Sequence, residues 1–439
     1  MRHIKFYWPL LIGAPLLLAF LVIATLLTSA RYEQNQQVWL DQLNQTPGLG
    51  ATWFTYEGGL FTQRSELHLN LVDPALFLNS LGLSTQAELG SQLAQIGPLE
   101  IYLQVDTLLL PGYASSQAHL IENRGSLATK QESGELQVGD LELQWQLASW
   151  RRELNLHLTS GRWALQSTQG RIVLDPATMT LKGNPDSNLA IQWQLGGITL
   201  SNEERSLGLR GLTGQVDLQP THDYWLMPKL QLQLDSASYQ ADSASPAELS
   251  GAMISGAVIE NKNGLLTQVD MQWQGRLAYL GFNLPAQRHE LEDLSLGVKL
   301  GGIDQQGYKA LVWSAATDFN DTQGWQDALN RITRSGFHLQ MTPSQLQLHQ
   351  GVLRAEGEIT SRPFDMAQLN GLASLRSLLQ GNVAIHADPQ VAEQLSPSSE
   401  ELTGLQQAGY IELAKNGKLH SQLRMVNGKL SANGYKLPW

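Results

Sequence analysis

Alternation of apolar and polar residues is the feature of this sequence that most constrains its fold. In residues 67–71, the apolar Leu67, Leu69 and Leu71 are separated by the polar His68 and Asn70. Successive side chains of a β-strand point to opposite faces, so this period predicts a strand with one apolar and one polar face. The same period recurs in residues 141–147, 154–158, 189–195, 230–234, 294–300 and 346–348. Such segments, separated by Gly, Asn and Asp turns, predict a mainly β chain with an elongated antiparallel sheet body and a few α-helices.

Helical periodicity is confined to a few segments. The sequence predicts a stalk helix over residues 31–46, ended by Pro47-Gly48. It predicts further helices over Thr322–Ser335 and residues 74–96, 363–379 and 389–407, the last interrupted at Pro397. At the C-terminus, Asn427-Gly428 and Asn433-Gly434 are pairs that favour type I′ turns, so they predict two successive hairpins.

An apolar segment near the N-terminus predicts a membrane anchor. The aliphatic run of residues 10–27 would form a helix rising about 1.5 Å per residue, enough for a bilayer core of about 30 Å. Because Arg2 and Lys5 precede the run, the positive-inside rule places the N-terminus in the cytoplasm. The bulk of the chain then lies on the far side of the membrane. In a diderm bacterium that side is the periplasm, so we expect a single-pass protein of the bacterial inner membrane. The predicted anchor residues are Leu10, Leu16, Phe20, Ile23 and Leu27.

The alternative for this segment is a signal peptide that is cleaved after Thr28-Ser29-Ala30. With the anchor retained, the sequence predicts three parts. Residues 1–30 form the cytoplasmic N-terminus and anchor, residues 31–240 the stalk helix and a first β-rich domain, and residues 241–439 a second β-rich domain. Residues 241–247 are rich in Ser, Ala and Asp, which predicts a hinge or long loop between the two β-rich domains.

Composition and motifs argue against several classes of chemistry. The net charge of −11 with 29 Lys plus Arg, and no cluster of cations, argues against a nucleic-acid partner. The absence of cysteine excludes disulfides and thiolate chemistry. The ten histidines form no HxH or HExxH pair, and there is no GxSxG or Walker A sequence, so we predict no metal, no cofactor and no catalytic activity. The segment 208–214 contains three glycines but lacks the GxGxxG spacing, and it predicts a turn.

A short phrase, Gln-Trp-Gln, occurs three times within alternating segments. Its tryptophans are Trp145, Trp193 and Trp273. The simplest interpretation is that each indole packs on a sheet face while the glutamines face solvent. The functional alternative is that the indoles line a groove, and these three residues are therefore the candidate ligand-binding residues.

The segments Tyr56-Glu-Gly-Gly-Leu-Phe61 and Val426-Asn-Gly-Lys-Leu-Ser-Ala-Asn-Gly434 resemble the YdgA-like family of uncharacterised bacterial envelope proteins. The resemblance implies an inner-membrane protein that faces the periplasm, that can form a dimer and that has no established activity. An arginine often precedes the glycine of the first motif in that family, whereas this chain has Glu57-Gly58 there. In architecture the chain is also distantly similar to AsmA-like proteins, which implies an anchored, curved sheet with a lipid-carrying groove.

Two functions remain open at this stage. The first is a membrane-anchored periplasmic protein that holds lipid or another hydrophobic ligand on an apolar sheet face, in envelope maintenance. The second is a non-catalytic structural or interaction protein whose sheet edges join a second copy or an envelope partner. An enzyme is the least supported reading, since it rests on chain length alone.

Overall fold

The computed structural model is mainly antiparallel β-sheet, which confirms the fold class that the alternation predicts at this level. It describes residues 8–73, 76, 99–123, 135–137, 139–148, 152–167, 170–202, 204–221, 224–241, 246–263, 266–284, 287–317, 322–348, 351–366, 372–395 and 399–437. The chain divides into two compact units, unit 1 (Met1–Glu203) and unit 2 (Glu204–Trp439).

Unit 1 consists of one described helix and eleven described strands. These are α1 (Trp8–Gln45), β1 (Leu49–Gly58), β2 (Thr62–Leu71), β3 (Leu99–Leu110), β4 (Tyr113–Asn123), β5 (Glu135–Gln137), β6 (Leu141–Ala148), β7 (Glu153–Ser160), β8 (Trp163–Ser167), β9 (Gly170–Leu174), β10 (Ala177–Asn184) and β11 (Asn188–Ser201). Antiparallel pairing gives the order β1-β2-β3-β4-β6-β7-β10-β11-β9-β8-β5.

The C-terminal half of α1 packs on the sheet of unit 1. Leu40 is buried with Leu67, Leu103 and other apolar residues of β1 to β4. The hydroxyl of Tyr32 lies 2.6 Å from Oγ of Ser116 and 3.2 Å from Oγ1 of Thr107. The predicted stalk helix is therefore the end of a longer helix, and it forms part of the unit 1 core.

The N-terminal half of α1 contains the predicted anchor. The side chains of Leu10, Leu16, Phe20 and Ile23 lie outside the described part of the structure. The side chain of Leu27 is 62% exposed. Among the residues that the structure describes, no helix has both the length and the apolar character needed to cross a membrane.

Unit 2 carries five described helices and twelve described strands. In chain order they are β12 (Arg205–Pro220), β13 (Trp225–Ala241), β14 (Ala247–Asn263), β15 (Leu266–Leu284), β16 (Gln287–Asp304), α2 (Gln305–Thr317), α3 (Thr322–Ser335), β17 (Phe337–Leu348), β18 (Gly351–Ser361), α4 (Leu372–Leu378), β19 (Leu379–Ala387), α5 (Pro389–Leu395), α6 (Ser399–Gln407), β20 (Glu412–Leu413), β21 (Leu419–Val426), β22 (Lys429–Ala432) and β23 (Tyr435–Lys436).

The strands of unit 2 form an antiparallel meander. Each strand from β12 to β18 pairs with the strand that follows it in sequence, and β19 pairs with β21. Strands β20 and β22 both pair with β21, at its first and last residues respectively, and β23 pairs with β22. Most of these connections are short, since a turn only has to reverse the chain, whereas helices lie between β16 and β17, between β18 and β19, and between β19 and β20.

The helices α2 and α3 pack over one end of the strands β14, β15 and β16. Tyr308 of α2 and Ile332 of α3 are buried against Val258, Val269 and Ile303 of β14, β15 and β16. The sequence analysis predicts α3 with the correct bounds and misses α2, although Asp304 caps that helix and Tyr308, Leu311 and Val312 have helical spacing. Gly307 in the first turn of α2 is required by the packing, since a Cβ at position 307 would lie 2.9 Å from the Ile332 side chain.

One prediction about local structure is wrong, and a second predicts a helix that extends beyond the described one. Residues 208–214 lie inside β12 rather than in a turn, and Gly211 adopts a φ of 65° within that strand, a conformation that glycine tolerates. Of the helix predicted over residues 363–379, the described helix is only Leu372–Leu378, and Leu379 already begins β19. The helix predicted over residues 74–96 lies outside the described residues except for Leu76.

The boundary between the compact units does not coincide with the predicted hinge. The units divide at Glu203 and Glu204. Residues 241–247 instead connect β13 to β14, two strands that pair with each other inside unit 2. A Ser-rich composition is typical of a hairpin connection as well as of a linker, so composition alone could not separate the two.

Candidate functional site

One face of the unit 2 sheet is apolar across ten strands. A single transverse row, read from the strand register, contains only apolar residues: Val216, Leu230, Gly256, Trp273, Val298, Met341, Gly357, Val383, Leu423 and Ala432. The next row, on the opposite face, is mostly polar: Ala257, Gln272, Lys299, Gln340, Glu358, Asn382, Arg424 and Ser431. We call the first surface the apolar face of unit 2.

Unit 1 has an apolar face of the same kind. One row crosses eight strands through Thr55, Ser65, Val105, Ala118, Leu143, Leu158, Met179 and Trp193. Its first members lie beneath α1, where Val105 and Ala118 are completely buried. Its last members, on β7, β10 and β11, are only partly buried.

The apolar face of unit 2 is covered at one end and open further along the strands. Where α2 and α3 pack, Val258, Val269 and Ile303 are at most 2% exposed. Four residues from Val258 on β14, Ile254 is 48% exposed, and seven residues from Ile303 on β16, Leu296 is 50% exposed. The same kind of side chain on the same face is therefore core in one place and solvent-facing in the other.

The three candidate tryptophans all lie on apolar faces, but in different surroundings. Trp145 makes an edge-to-face contact with Trp53, at 6.4 Å between ring centroids, and Trp53 makes a similar contact with Trp39 of α1. Trp145 therefore closes the border of the core beneath α1. Trp193 lies three strands away from it, about 14 Å across the sheet.

Trp273 belongs to unit 2, and its indole lies across a glycine of the neighbouring strand. A Cβ at Gly256 would be 2.5 Å from the Trp273 ring, so only glycine permits this position of the indole. The ring lies over Gly256 and is partly exposed. Within unit 1 the structure thus keeps Trp145 and Trp193 apart, and it places each of the three tryptophans on an apolar face.

Charged groups of the polar faces have charged or amide hydrogen-bond partners on the same faces. Arg276 donates to Asp293 at 3.2 Å, and Lys229 donates to Gln215 at 3.0 Å. In unit 1, hydrogen bonds from Gln144 and Gln117 lower the pKa of the Glu142 carboxyl. These pairs keep charge on one side of each sheet.

The hairpin motif at Glu57-Gly58 has a basic residue that the sequence analysis missed. Arg64 lies opposite Glu57 in the β1–β2 register and contacts it at 3.4 Å, and Arg64 also donates to Asp106 at 2.7 Å. This hydrogen bond lowers the pKa of Asp106. The three groups line a cleft of about 690 Å³ with polar neighbours. The arginine contacts both carboxylates, so the three groups form an ion-pair cluster with one excess negative charge.

No group of three or more His, Asp or Glu residues close enough to hold a metal ion occurs among the described residues. The arrangement with the strongest chemical consequence is therefore the open apolar face. It is suited to dispersion contacts and to the exclusion of water rather than to proton or group transfer.

Fold and surface together define a class: an antiparallel β protein with two-sided sheets, one face of which is apolar and partly open. Residues 10–439 match the model of a family described as bacterial protein of unknown function (DUF945), and the chain belongs to this family. Neither a curated protein nor a solved structure matches the chain.

Proposed function

We propose that this chain is a membrane-anchored periplasmic binding protein that holds lipid or another hydrophobic ligand on an apolar sheet face, with a role in envelope maintenance. The N-terminal segment, through Leu10, Leu16, Phe20, Ile23 and Leu27, would be its single-pass anchor in the bacterial inner membrane. The N-terminus would be cytoplasmic and both units periplasmic. The charge asymmetry of Arg2 and Lys5 supports this orientation.

The observation that carries the proposal is the change of exposure along the apolar face of unit 2. Burial of apolar surface contributes about 25 cal/mol per Å², so side chains such as Ile254 and Leu296 leave a favourable contribution unused. Isolated exposed leucines are ordinary. An apolar strand face that continues from a buried core into solvent, as on β14 and β16, is typical of a binding surface. The distant architectural likeness to AsmA-like proteins suggests the same ligand class, by analogy alone.

Site-specific photo-crosslinking tests the proposal. A photoreactive amino acid is placed at Trp193 or Trp273 of the full-length protein in cells, and covalent adducts are identified by mass spectrometry after irradiation. We expect lipid adducts at both positions, because both side chains lie on apolar faces that are partly exposed. Trp145, which packs against Trp53, should be labelled less.

The matched controls are Gln192 and Gln272, which lie on the same strands as the two tryptophans and face the opposite side. Lipid adducts at the tryptophan positions should exceed those at the glutamine positions several-fold. Equal yields on the two faces would contradict the proposal, since a lipid that meets both sides is bulk membrane.

The alternative function is a structural or interaction protein that forms a homodimer or joins an envelope partner through a sheet edge. Exposed apolar residues near the C-terminal strands favour it: Leu413 is 66% and Tyr435 55% exposed. Unpaired strand edges are natural docking sites for another chain. A doubled molar mass in light scattering, with no lipid adduct in the crosslinking experiment, would favour this alternative over lipid binding.

A further inference from the structure

Gly275 marks a gap in the open part of the apolar face. It lies on β15 between Trp273 and Leu277, and the strand register pairs it with Ile254 on β14 and Leu296 on β16. These two neighbours, Ile254 and Leu296, are each about half exposed. A Cβ at Gly275 would meet no heavy atom within 4 Å, so the space above the glycine is open.

Neither the backbone nor the packing requires a glycine at this position. Its φ is not in the left-handed region, unlike that of Gly251 or Gly302. No neighbouring atom approaches it, unlike Gly256, which lies beneath the Trp273 ring. Glycine within a strand weakens the strand and supplies no side chain for packing, and it often marks a place where a ligand approaches the backbone closely. A leucine, the commonest residue of this face, would fit.

The walls of the gap determine what could fill it. Neighbouring strands are about 4.8 Å apart, so the backbones of β14 and β16 lie about 10 Å from each other. With Ile254 and Leu296 projecting from them, the space between is narrower than an α-helix, whose diameter is about 10–12 Å. The side chains around it, Trp273, Leu277, Ile254 and Leu296, are all uncharged. An uncharged slot of this width matches a polymethylene chain.

We propose that the gap over Gly275, bounded by Trp273, Leu277, Ile254 and Leu296, is the subsite that takes one acyl chain of a membrane phospholipid. The proposal rests on the proposed function of the apolar face and names the place where a chain lies. Trp273 forms one end of the subsite, where its indole lies across Gly256. Beyond Leu277 the same face carries Tyr279, with Glu292 opposite it and Glu290 hydrogen-bonded to it, so the uncharged lining ends there.

The test fills the gap without changing the backbone. Full-length protein is incubated with liposomes of phosphatidylethanolamine and phosphatidylglycerol that contain a phosphatidylethanolamine with a diazirine in its acyl chain. After irradiation, labelled peptides are mapped by mass spectrometry. Wild type should be labelled on β14 to β16, around Ile254, Trp273 and Leu296. In Gly275→Leu this labelling should fall about tenfold, which corresponds to the loss of about two buried methylenes from the lipid contact.

The matched control is Gly404→Leu, which adds the same side chain at an exposed position of α6 where a Cβ also meets nothing within 4 Å. Its labelling should equal that of wild type. Circular dichroism and thermal unfolding establish that both variants are folded. Should Gly275→Leu fail to fold, Leu296→Gln, which alters a side chain already half exposed, replaces it and should lower labelling in the same peptides.

The outcomes separate this proposal from the proposed function. Labelling of wild type that is unchanged in the folded Gly275→Leu variant, or that maps elsewhere on the apolar faces, overturns the subsite and leaves lipid binding intact. Absence of labelling in wild type overturns both. Labelling by free diazirine palmitate but not by the phospholipid overturns the assignment to a phospholipid. A protein–protein crosslink between two β15 segments shows that a second copy covers the face, and this also overturns the subsite.

Discussion

The phenol of Tyr224 joins three elements of unit 2. Its hydroxyl donates to Glu260 near the end of β14 and accepts a hydrogen bond of 3.0 Å from Gln305 at the start of α2. Burial, followed by the hydrogen bond to Glu260, raises the pKa of Tyr224 to about 12. The folded state therefore favours the protonated phenol. In this form the hydroxyl links Glu260 of β14 to Gln305 at the start of α2.

This shift predicts a loss of stability at alkaline pH. Because the folded pKa is raised from 10.0, the contribution of Tyr224 is complete below pH 10 and decreases as the pH rises through 10 to about 12. Urea midpoints at pH 8, 10 and 11 measure the effect. Tyr224→Phe should be less stable than wild type at pH 8 by about 1–2 kcal/mol, since Glu260 loses its donor, and should approach wild type as the pH rises. A constant difference between the two proteins across this range would contradict the assignment.

Residue types explain only part of the candidate site. The alternation of leucine and glutamine correctly places Trp273 on an apolar strand face, because the period of two is a local property of the chain. The open space over Gly275 could not be predicted in this way. It depends on which residues of β14 and β16 stand beside the glycine, and that follows from the register of three strands.

At the scale of elements, α3 is the helix whose packing can be tested most directly. Ile332 is buried against the strands, whereas Leu329 on the same helix is 38% exposed. Ile332→Ala should lower the unfolding free energy by about 2–4 kcal/mol, through lost burial and the cavity that remains. Leu329→Ala should cost about 1 kcal/mol or less. Chemical denaturation of both variants measures this, and equal effects would show that α3 does not cover the sheet through Ile332.

Elements with a strong local signal were predicted correctly, and those without one were not. The C-terminal turns are confirmed, since Asn427, Gly428, Asn433 and Gly434 all have positive φ between 48° and 87°. Turn chemistry of this kind is specified by two residues alone. By contrast, α2 is defined by Tyr308 entering the core beside Tyr224 and Ile332, which is a tertiary contact. Its sequence does carry a helical period, since Tyr308, Leu311 and Val312 stand at i, i+3 and i+4, but the stripe is short and the sequence analysis missed it.

At the scale of the whole molecule, the proposed anchor predicts where the protein is found. The full-length chain should remain in the membrane pellet after extraction with alkaline carbonate. A variant lacking residues 1–24 should be released, because it loses most of the apolar run but retains Thr28 and Tyr32, which contact the sheet of unit 1. Leu16→Arg combined with Phe20→Arg is the subtler test, since each arginine near a helix centre costs about 2.5–3.5 kcal/mol on insertion. Release of the full-length protein by carbonate would contradict the anchor.

The sequence by itself determined that this protein is a mainly β, antiparallel chain with two-sided strands, because side-chain alternation and Asn-Gly turns act over a few residues. Tertiary structure decided the rest. The strand register aligned Val216 through Ala432 into one apolar row. Tertiary contacts divided the chain into two units at Glu203 and Glu204. The packing of α2 and α3 on the sheet ends before Ile254 and Leu296, which are therefore exposed. Whether a leucine is core or surface depends on what lies above the sheet, and residues distant in sequence supply that cover.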